Sequence, residues 1–209
     1  VMLTIMAVVT CSAFLQASKG LDVMLKYAEK FLRSNPKYIT ILAPITTWVL
    51  AVLCGTGHVV YAMFPIIYDI AIKQNIRPER PMAVSSIASQ MGVCASPASV
   101  AVVSVVAILG ASPHPFGVMQ ILSVSIPATF FGVVMAGLWS LNRGKDLDKD
   151  ELFQAKIADP EQKAFVYGDL ADKSLVNLKL PASAYKAAII FLLGIVVIAI
   201  FGSFPQLLP

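Results

Sequence analysis

The sequence has few charged residues for its length. Of its 209 residues, 13% are charged and 57% are hydrophobic, proportions unlike those of an ordinary soluble domain. Residues 39–68 and 82–118 contain no Lys, Arg, Asp or Glu at all. Stretches of this kind belong in lipid, where helices satisfy their own backbone groups. We therefore predict an all-α, polytopic membrane protein.

Cysteine and catalytic motifs are also scarce. The three cysteines lie in apolar surroundings without a pairing pattern, which predicts small core residues. A metal site at Cys54, His58 and Cys94 would lack a fourth ligand, so we expect neither a metal nor a cofactor. Asp69 has no second membrane aspartate for protease chemistry, and no phosphate loop is present, so the sequence does not predict an enzyme.

The net charge of +4 does not indicate nucleic-acid binding, because the basic residues are spread over short segments between apolar runs. Residues 19–37, 73–81 and 142–186 contain every Lys and Arg, and residues 111–116 contain none. The positive-inside rule places the three basic segments on the cytoplasmic side. Residues 39–72 must then enter the membrane from the cytoplasmic side and return to that side. Asp69, four residues before Lys73, is expected to form a local ion pair rather than a proton relay.

Hydrophobic periodicity divides a single membrane transport domain, residues 1–209, into seven segments. They are a truncated transmembrane helix (1–17), an interfacial amphipathic helix (21–33) whose polar face includes Glu29, a re-entrant helical hairpin (39–72), a broken transmembrane helix (82–110), a transmembrane helix (117–141), a cytoplasmic loop (142–186) with a short helix at 148–155, and a transmembrane helix (187–205).

Both ends of the chain lie in or next to apolar runs, so we expect a fragment of a longer protein.

Two predicted helix breaks lie within the apolar segments. The arms on either side of residues 54–58 have about 14 or 15 residues, which reach about 22 Å and fall short of the ~30 Å hydrocarbon core. In the next segment, Ser96 is a good N-cap and Pro97 suits a first helical position, so a second half-helix is expected to begin at Ser96.

Broken helices in a membrane mark a binding site in many transporters, because their half-helix N-termini attract anions. The second arm is expected to begin at Thr56-Gly57-His58 and, like the half-helix at Ser96, to offer free N–H groups to a substrate carboxylate. His58 fits either a core histidine or a substrate contact. The candidate substrate-binding residues are Gly55, Thr56, Gly57, His58, Ser89, Gln90, Ser96, Pro97 and Ser99.

Several strings of the sequence resemble one known family. These are residues 55–61 (Gly-Thr-Gly-His-Val-Val-Tyr), 65–69, 75–82, 95–97, 33–38 and 143–150. Together they are similar to the anaerobic four-carbon dicarboxylate carriers of the Dcu family, and the likeness covers essentially the whole chain.

The resemblance implies a secondary transporter of the bacterial inner membrane. Such a carrier takes up fumarate, malate or aspartate in exchange for succinate during fumarate respiration. It also implies an inverted-repeat fold, of which this chain is the first half. The expected partners are the dicarboxylate substrates, the lipid bilayer, the missing C-terminal repeat and, as an open alternative, further copies of the chain. A carrier of the same fold for another carboxylate, such as citrate, remains the alternative.

Overall fold

The computed structural model describes residues 2–110, 116–167, 175 and 178–203. Within these residues the chain is helical and has no strand. The helices are α1 (Met2–Ala17), α2 (Gly20–Ser34), α3 (Ile39–Cys54), α4 (Val59–Lys73), α5 (Glu79–Cys94), α6 (Val100–Leu109), α7 (Val118–Ser140), α8 (Glu151–Ile157), α9 (Pro160–Tyr167) and α10 (Ala182–Ser203).

Helices α3, α5 and α7 pack side by side around a small-residue contact. A Cβ atom on Gly92 would lie 2.6 Å from the Ala51 Cβ and 2.8 Å from the Trp48 carbonyl oxygen, so the backbones of α5 and α3 approach closely. The Trp48 indole Nε1 donates a hydrogen bond of 3.2 Å to Thr129 Oγ1 on α7. Glycine at position 92 therefore permits a close approach that any larger side chain would prevent.

The α3–α4 hairpin returns to the end where it began. Arg33, at the end of α2 and just before α3, contacts Asp69 near the end of α4 through a 2.8 Å ion pair. Lys73 binds the same carboxylate at 2.7 Å, which confirms the predicted local ion pair. Arg33 also binds Glu29 at 2.8 Å, and the Glu29 side chain is fully buried. These contacts hold the last turn of α4 beside the residues that precede α3.

The start of α5 lies at this same end. Arg80 donates hydrogen bonds to the carbonyl oxygens of Arg143 and Gly144 and to Asp146 Oδ1, the last two at 2.7 Å. The Ser140 hydroxyl, at the end of α7, donates to the Arg80 carbonyl oxygen. We call the part of the molecule that contains Arg33, Asp69, Arg80 and Ser140 the basic end.

Helix lengths place both breaks far from the basic end. Helices α3 and α5 each have 16 residues, and at 1.5 Å per residue each extends about 24 Å before it breaks. Helix α7 has 23 residues and extends about 35 Å, so it passes both breaks. The two breaks therefore lie at a similar depth, more than half-way along α7.

Helices α1 and α10 pack against α2 at one side of this core. A Cβ atom on Gly20 would lie 2.7 Å from Leu15 Cδ1 and 3.2 Å from the Ala188 nitrogen, so the corner between α1 and α2 fits closely against α10. Helix α10 begins at Ala182, whereas the hydropathy pattern predicted a start at residue 187. The pattern placed it late because Lys186 interrupts the apolar run without interrupting the helix.

Three local predictions differ from the structure. Glu29 is buried rather than part of a solvated face, because Arg33 and the Leu175 N–H bind its carboxylate. The short helix predicted at residues 148–155 is a 3₁₀ turn followed by α8, which Asp150 caps. Among the cysteines, Cys54 is buried but Cys11 and Cys94 are exposed in this chain.

Some predictions fall partly or wholly outside the described residues. They concern the loop without basic residues at 111–116, positions 168–174, 176 and 177 of the predicted cytoplasmic loop, and residues 1, 204 and 205 at the ends of predicted helices. Among the described helices, Pro36–Cys54 (including its 3₁₀ turn) and Val118–Ser140 are long and apolar enough to cross a membrane.

Arg33→Ala should destabilise the protein by about 2–4 kcal/mol, because it removes a shared partner of two buried carboxylates. Lys30→Ala, an exposed basic residue on the same helix, is the matched control and should change stability by no more than about 0.5 kcal/mol. Denaturant unfolding of both purified variants in detergent measures the difference. Equal stability of the two variants would show that Arg33 does not hold the hairpin to α2.

Candidate functional site

The first helix break depends on Gly55. Helix α3 ends at Cys54, and Gly55 adopts a left-handed conformation with φ of 69° while its N–H donates to the Ala51 carbonyl at 2.9 Å. Glycine accepts this conformation without the strain that a Cβ atom imposes. The chain then makes a short turn through Thr56 and Gly57, and α4 begins at Val59.

The second break is a turn followed by a capped helix. Helix α5 ends at Cys94, and the Ser99 N–H donates to the Ser96 carbonyl at 3.3 Å, which closes a four-residue turn with Pro97 at its second position. Ser99 Oγ then accepts the Val102 N–H at 3.1 Å, so Ser99 is the N-cap of α6. The prediction that the half-helix begins at Ser96 is wrong. Ser and Pro suit the first two positions of a turn as well as they suit a helix start.

The two breaks contact each other. A Cβ atom on Gly55 would lie 2.4 Å from the Ala98 carbonyl oxygen, and one on Gly57 would lie 2.6 Å from the Gln90 amide nitrogen. Gly55 therefore lies against the second break, and Gly57 lies against the last turns of α5. Sequence spacing alone gives no sign of these two contacts.

Local capping already uses several of the N–H groups that the sequence predicted to be free. The His58 N–H donates to Thr56 Oγ1 at 3.3 Å, and the Val60 and Tyr61 N–H groups donate to the carbonyl oxygens of Gly57 and His58. The Ala98 N–H donates to Ser96 Oγ at 3.2 Å. Within the described chain, the N–H groups of Val59, Val100 and Ala101 retain no protein partner.

The candidate residues divide into an open group and a buried group. His58 and Gln90 are exposed in this chain. Thr56 Oγ1 lies 3.0 Å from His58 Nδ1. Gly55, Thr56 and Pro97 are partly exposed, whereas Gly57, Ser89, Ser96 and Ser99 are buried.

Ser89 is not directed at the open group. Its hydroxyl donates at 2.7 Å to the Ser86 carbonyl in its own helix, and its side chain is fully buried. The neighbouring Gln90 lies about 100° further round α5, which explains why two adjacent candidates have different surroundings.

No cationic side chain lies in the segments that form the breaks, because the sequence between residues 38 and 72 and between 81 and 142 has no Lys or Arg. The positive potential here comes from the N-termini of α4 and α6. Among the described residues, no group of three or more His, Cys, Asp or Glu side chains could hold a metal ion. The arrangement can bind a small anion through N–H groups, a hydroxyl and an amide.

An apolar cavity of about 450 Å³ borders the breaks on the side of α1 and α10. Cys54 and Ala98 form its wall at the breaks, and Leu15, Phe191 and Gly194 line its other sides. The sequence does not predict this cavity, because the cavity depends on how α1 and α10 pack.

The charged contacts of the basic end were also missed, apart from Asp69 and Lys73. Burial lowers the pKa of the Arg33 guanidinium, but hydrogen bonds to Glu29 and Asp69 raise it by more, and its net pKa lies above the ordinary value. A hydrogen bond to Glu79 raises the pKa of Arg77, which also reaches Asp150. Both arginines therefore remain charged at any physiological pH.

Comparison with known proteins identifies the family of this chain. The family model described as anaerobic C4-dicarboxylate membrane transporter matches residues 1–209. The chain belongs to this family. It is 56% identical over 212 residues to the anaerobic C4-dicarboxylate transporter DcuB of Escherichia coli O157:H7, a match covering 100% of this chain and 47% of that protein.

More distant relatives carry related names. The chain is 34% identical over 209 residues to the C4-dicarboxylate transporter DcuA of Wolinella succinogenes, which covers 97% of this chain and 45% of that protein. The chain thus spans about half the length of the curated relatives it matches. These relatives are transporters and not enzymes, as the sequence analysis expects. No solved structure matches the chain.

Gly55→Ala should destabilise the complete protein far more than Gly57→Ala. The left-handed conformation costs a non-glycine residue about 1–2 kcal/mol, and the new Cβ would also collide with the Ala98 carbonyl. At Gly57 the obstacle is the flexible end of Gln90, which can turn away. Gly194→Ala, whose Cβ would meet no atom within 4 Å, is the control. Thermal unfolding in detergent ranks the three variants, and similar melting temperatures for Gly55→Ala and Gly194→Ala would contradict the contact between the breaks.

Proposed function

We propose that this chain forms the first half of a secondary transporter for C4-dicarboxylates in the bacterial inner membrane. The carrier takes up fumarate, malate or aspartate in exchange for succinate. Membership of the family and the printed names of the relatives support the substrate class. The contact between the two helix breaks, at Gly55 with Ala98 and at Gly57 with Gln90, is the structural observation that carries the proposal.

One substrate carboxylate binds where the two breaks meet. The N-termini of α4 and α6 contribute partial positive charge, and the free N–H groups of Val100 and Ala101 are hydrogen-bond donors. Thr56, His58 and Gln90 form the open side of the site. Gly55, Gly57, Pro97 and the buried serines 89, 96 and 99 shape the backbone around the site rather than contact the substrate.

The hairpin is re-entrant in the membrane. The ion pair between Arg33 and Asp69 supports this, because it joins the end of α4 to the residues before α3. Charge bias places the basic end in the cytoplasm. The broken helix α5–α6 then crosses outward and α7 crosses back. Helices α1 and α10 are further spans, and α2 lies at the membrane surface.

With helix axes near the membrane normal, the breaks lie about 24 Å from the cytoplasmic surface. This depth is past the middle of a hydrocarbon core of about 30 Å. Substrate from the cytoplasm must therefore travel most of the way across before it reaches the half-helix N-termini.

The second half of the site comes from the C-terminal repeat of the complete protein. His58, Gln90 and Cys94 are exposed beside the breaks. In the membrane, a polar site at this depth must be shielded from lipid by other parts of the protein. An inverted repeat packed on this face encloses the substrate and supplies the partners for its second carboxylate.

Cysteine labelling tests the membrane placement. In a cysteine-free complete protein, single cysteines at positions 37 and 75 should both react with a membrane-impermeant maleimide from the cytoplasmic side. Intact cells and inside-out vesicles give the two directions of access. Reaction of either position only from outside would exclude a re-entrant hairpin.

Transport assays test the binding site. Thr56→Ala in the complete protein should weaken the apparent affinity for fumarate by roughly twofold to tenfold, since loss of one hydrogen bond typically costs about 0.5–1.5 kcal/mol. Gln90→Ala should weaken it in the same direction. Thr46→Ala makes the identical change where the hydroxyl donates to Leu42 in its own helix, so it should leave affinity unchanged.

The assay measures initial uptake against fumarate concentration, normalised to inserted protein. Succinate should compete with fumarate, and citrate should not. Unchanged affinity in both Thr56→Ala and Gln90→Ala would remove the breaks from the binding site. Competition by citrate with equal strength would instead change the substrate class and leave the site in place.

A further inference from the structure

A polar pocket and an apolar groove lie end to end between α5 and α7. The pocket, of about 410 Å³, is at the basic end and is lined by Arg77, Glu79, Arg80, Ala83, Ser140 and Arg143. The groove, of about 370 Å³, is lined by Val84, Ile87, Met91, Gly132, Val133 and Ala136.

Neighbouring residues line the two spaces. Ala83 lines the pocket and its neighbour Val84 lines the groove, while Ser140 lies one helical turn beyond Ala136. From Ala128 to Ser140 the surface extends along α7 for about 18 Å, compared with about 15 Å for half of a hydrocarbon core. A polar end above an apolar channel of this length has the shape of a phospholipid head group and one acyl chain.

The pocket contains one arginine that is not committed to a carboxylate. Arg80 binds Asp146, and Arg77 binds Glu79 and Asp150. Arg143 has no carboxylate partner within the described residues, and its guanidinium carbon lies 4.6 Å from the centre of the Trp139 ring. Stacking on a ring face leaves the N–H groups at the guanidinium edge free to bind a phosphate.

Trp139 marks the level at which a lipid head group would lie. Its side chain is 70% exposed, and it follows the exposed apolar residues Phe131, Met135 and Leu138 along α7. Tryptophan is favoured at the boundary between hydrocarbon and head groups, and basic pockets between helices on the cytoplasmic side attract anionic lipids.

We propose that the α5–α7 surface binds an anionic phospholipid, with the phosphate at Arg143 and an acyl chain in the groove from Val84 to Met91. No residue of either helix break lines this site. It does not depend on which substrate the protein carries.

The test uses the complete protein, delipidated in a neutral detergent. Phosphatidylglycerol or phosphatidylcholine with brominated acyl chains is titrated in, and the quenching that belongs to Trp139 is obtained by subtracting a Trp139→Phe variant. Phosphatidylglycerol should bind about fivefold more tightly, the factor expected for one cation near an anionic head group. Arg143→Gln should remove this preference, and Lys145→Gln, in the same exposed turn, should retain it.

Two further variants separate binding from folding. Arg143→Lys keeps the charge and should keep most of the preference. Gly132→Leu fills the groove, because a Cβ there meets no atom within 4 Å, and should weaken quenching by both lipids alike. A loss of quenching in Gly132→Leu with an unchanged melting temperature supports an acyl chain in the groove.

Four results would overturn the proposal. They are equal affinities for the two lipids, an unchanged preference in Arg143→Gln, no quenching by either lipid because other protein covers the groove, and displacement of phosphatidylglycerol by millimolar inorganic phosphate or succinate. The last result would show that Arg143 binds small free anions instead of a lipid head group.

Discussion

The contact between Gly55 and the Ala98 carbonyl oxygen is the constraint on which the centre of this structure depends. A side chain at position 55 would occupy the place of that oxygen, and the left-handed backbone there already requires glycine. The first break can approach the second only because residue 55 has no side chain and adopts the left-handed conformation. Because the two breaks touch, the last turns of α3 and α5 must lie side by side. The close approach of Gly92 to Ala51 permits this packing.

The breaks show how backbone N–H groups at helix ends divide between those bound within the protein and those left without a partner. Unpaired N–H groups are costly away from water, so most of them near these turns are bound by Thr56, Ser96, Ser99 and nearby carbonyl oxygens. Among the described residues of the two turns, those left over are the N–H groups of Thr56 and Gly57 and the first N–H groups of α4 and α6. A substrate carboxylate would accept hydrogen bonds from the N–H groups that remain. Substrate binding and the stability of the turns would therefore both depend on backbone N–H groups of the two breaks.

Local chemistry was readable from the sequence, and tertiary contact was not. Two glycines flanking Thr56, and Ser96 followed by Pro97, identify both breaks, and the four-residue spacing of Asp69 and Lys73 identifies their ion pair. The sequence could not choose between Ser96 and Ser99 as the cap, because serine is a favoured N-cap residue at either position. Nor could it predict the burial of Glu29, which requires Arg33 and the chain near Leu175 to converge.

The distribution of charge explains why an anion would be held by dipoles and not by the abundant cations of this chain. The Arg33 guanidinium is bound to Asp69 and lies about 15 Å from the start of α4, and Arg80 lies about 22 Å from the end of α5. At an effective dielectric constant near 20, a unit charge at these distances contributes about 0.7–1.1 kcal/mol. Glu29, Asp69 and Asp146 offset even this contribution, because they bind the same arginines. Under the proposed function, the basic end would attract an anion toward the protein, and the short-range N–H groups at the breaks would select and hold it. Such a site would bind weakly enough to release its substrate, as the proposed carrier requires.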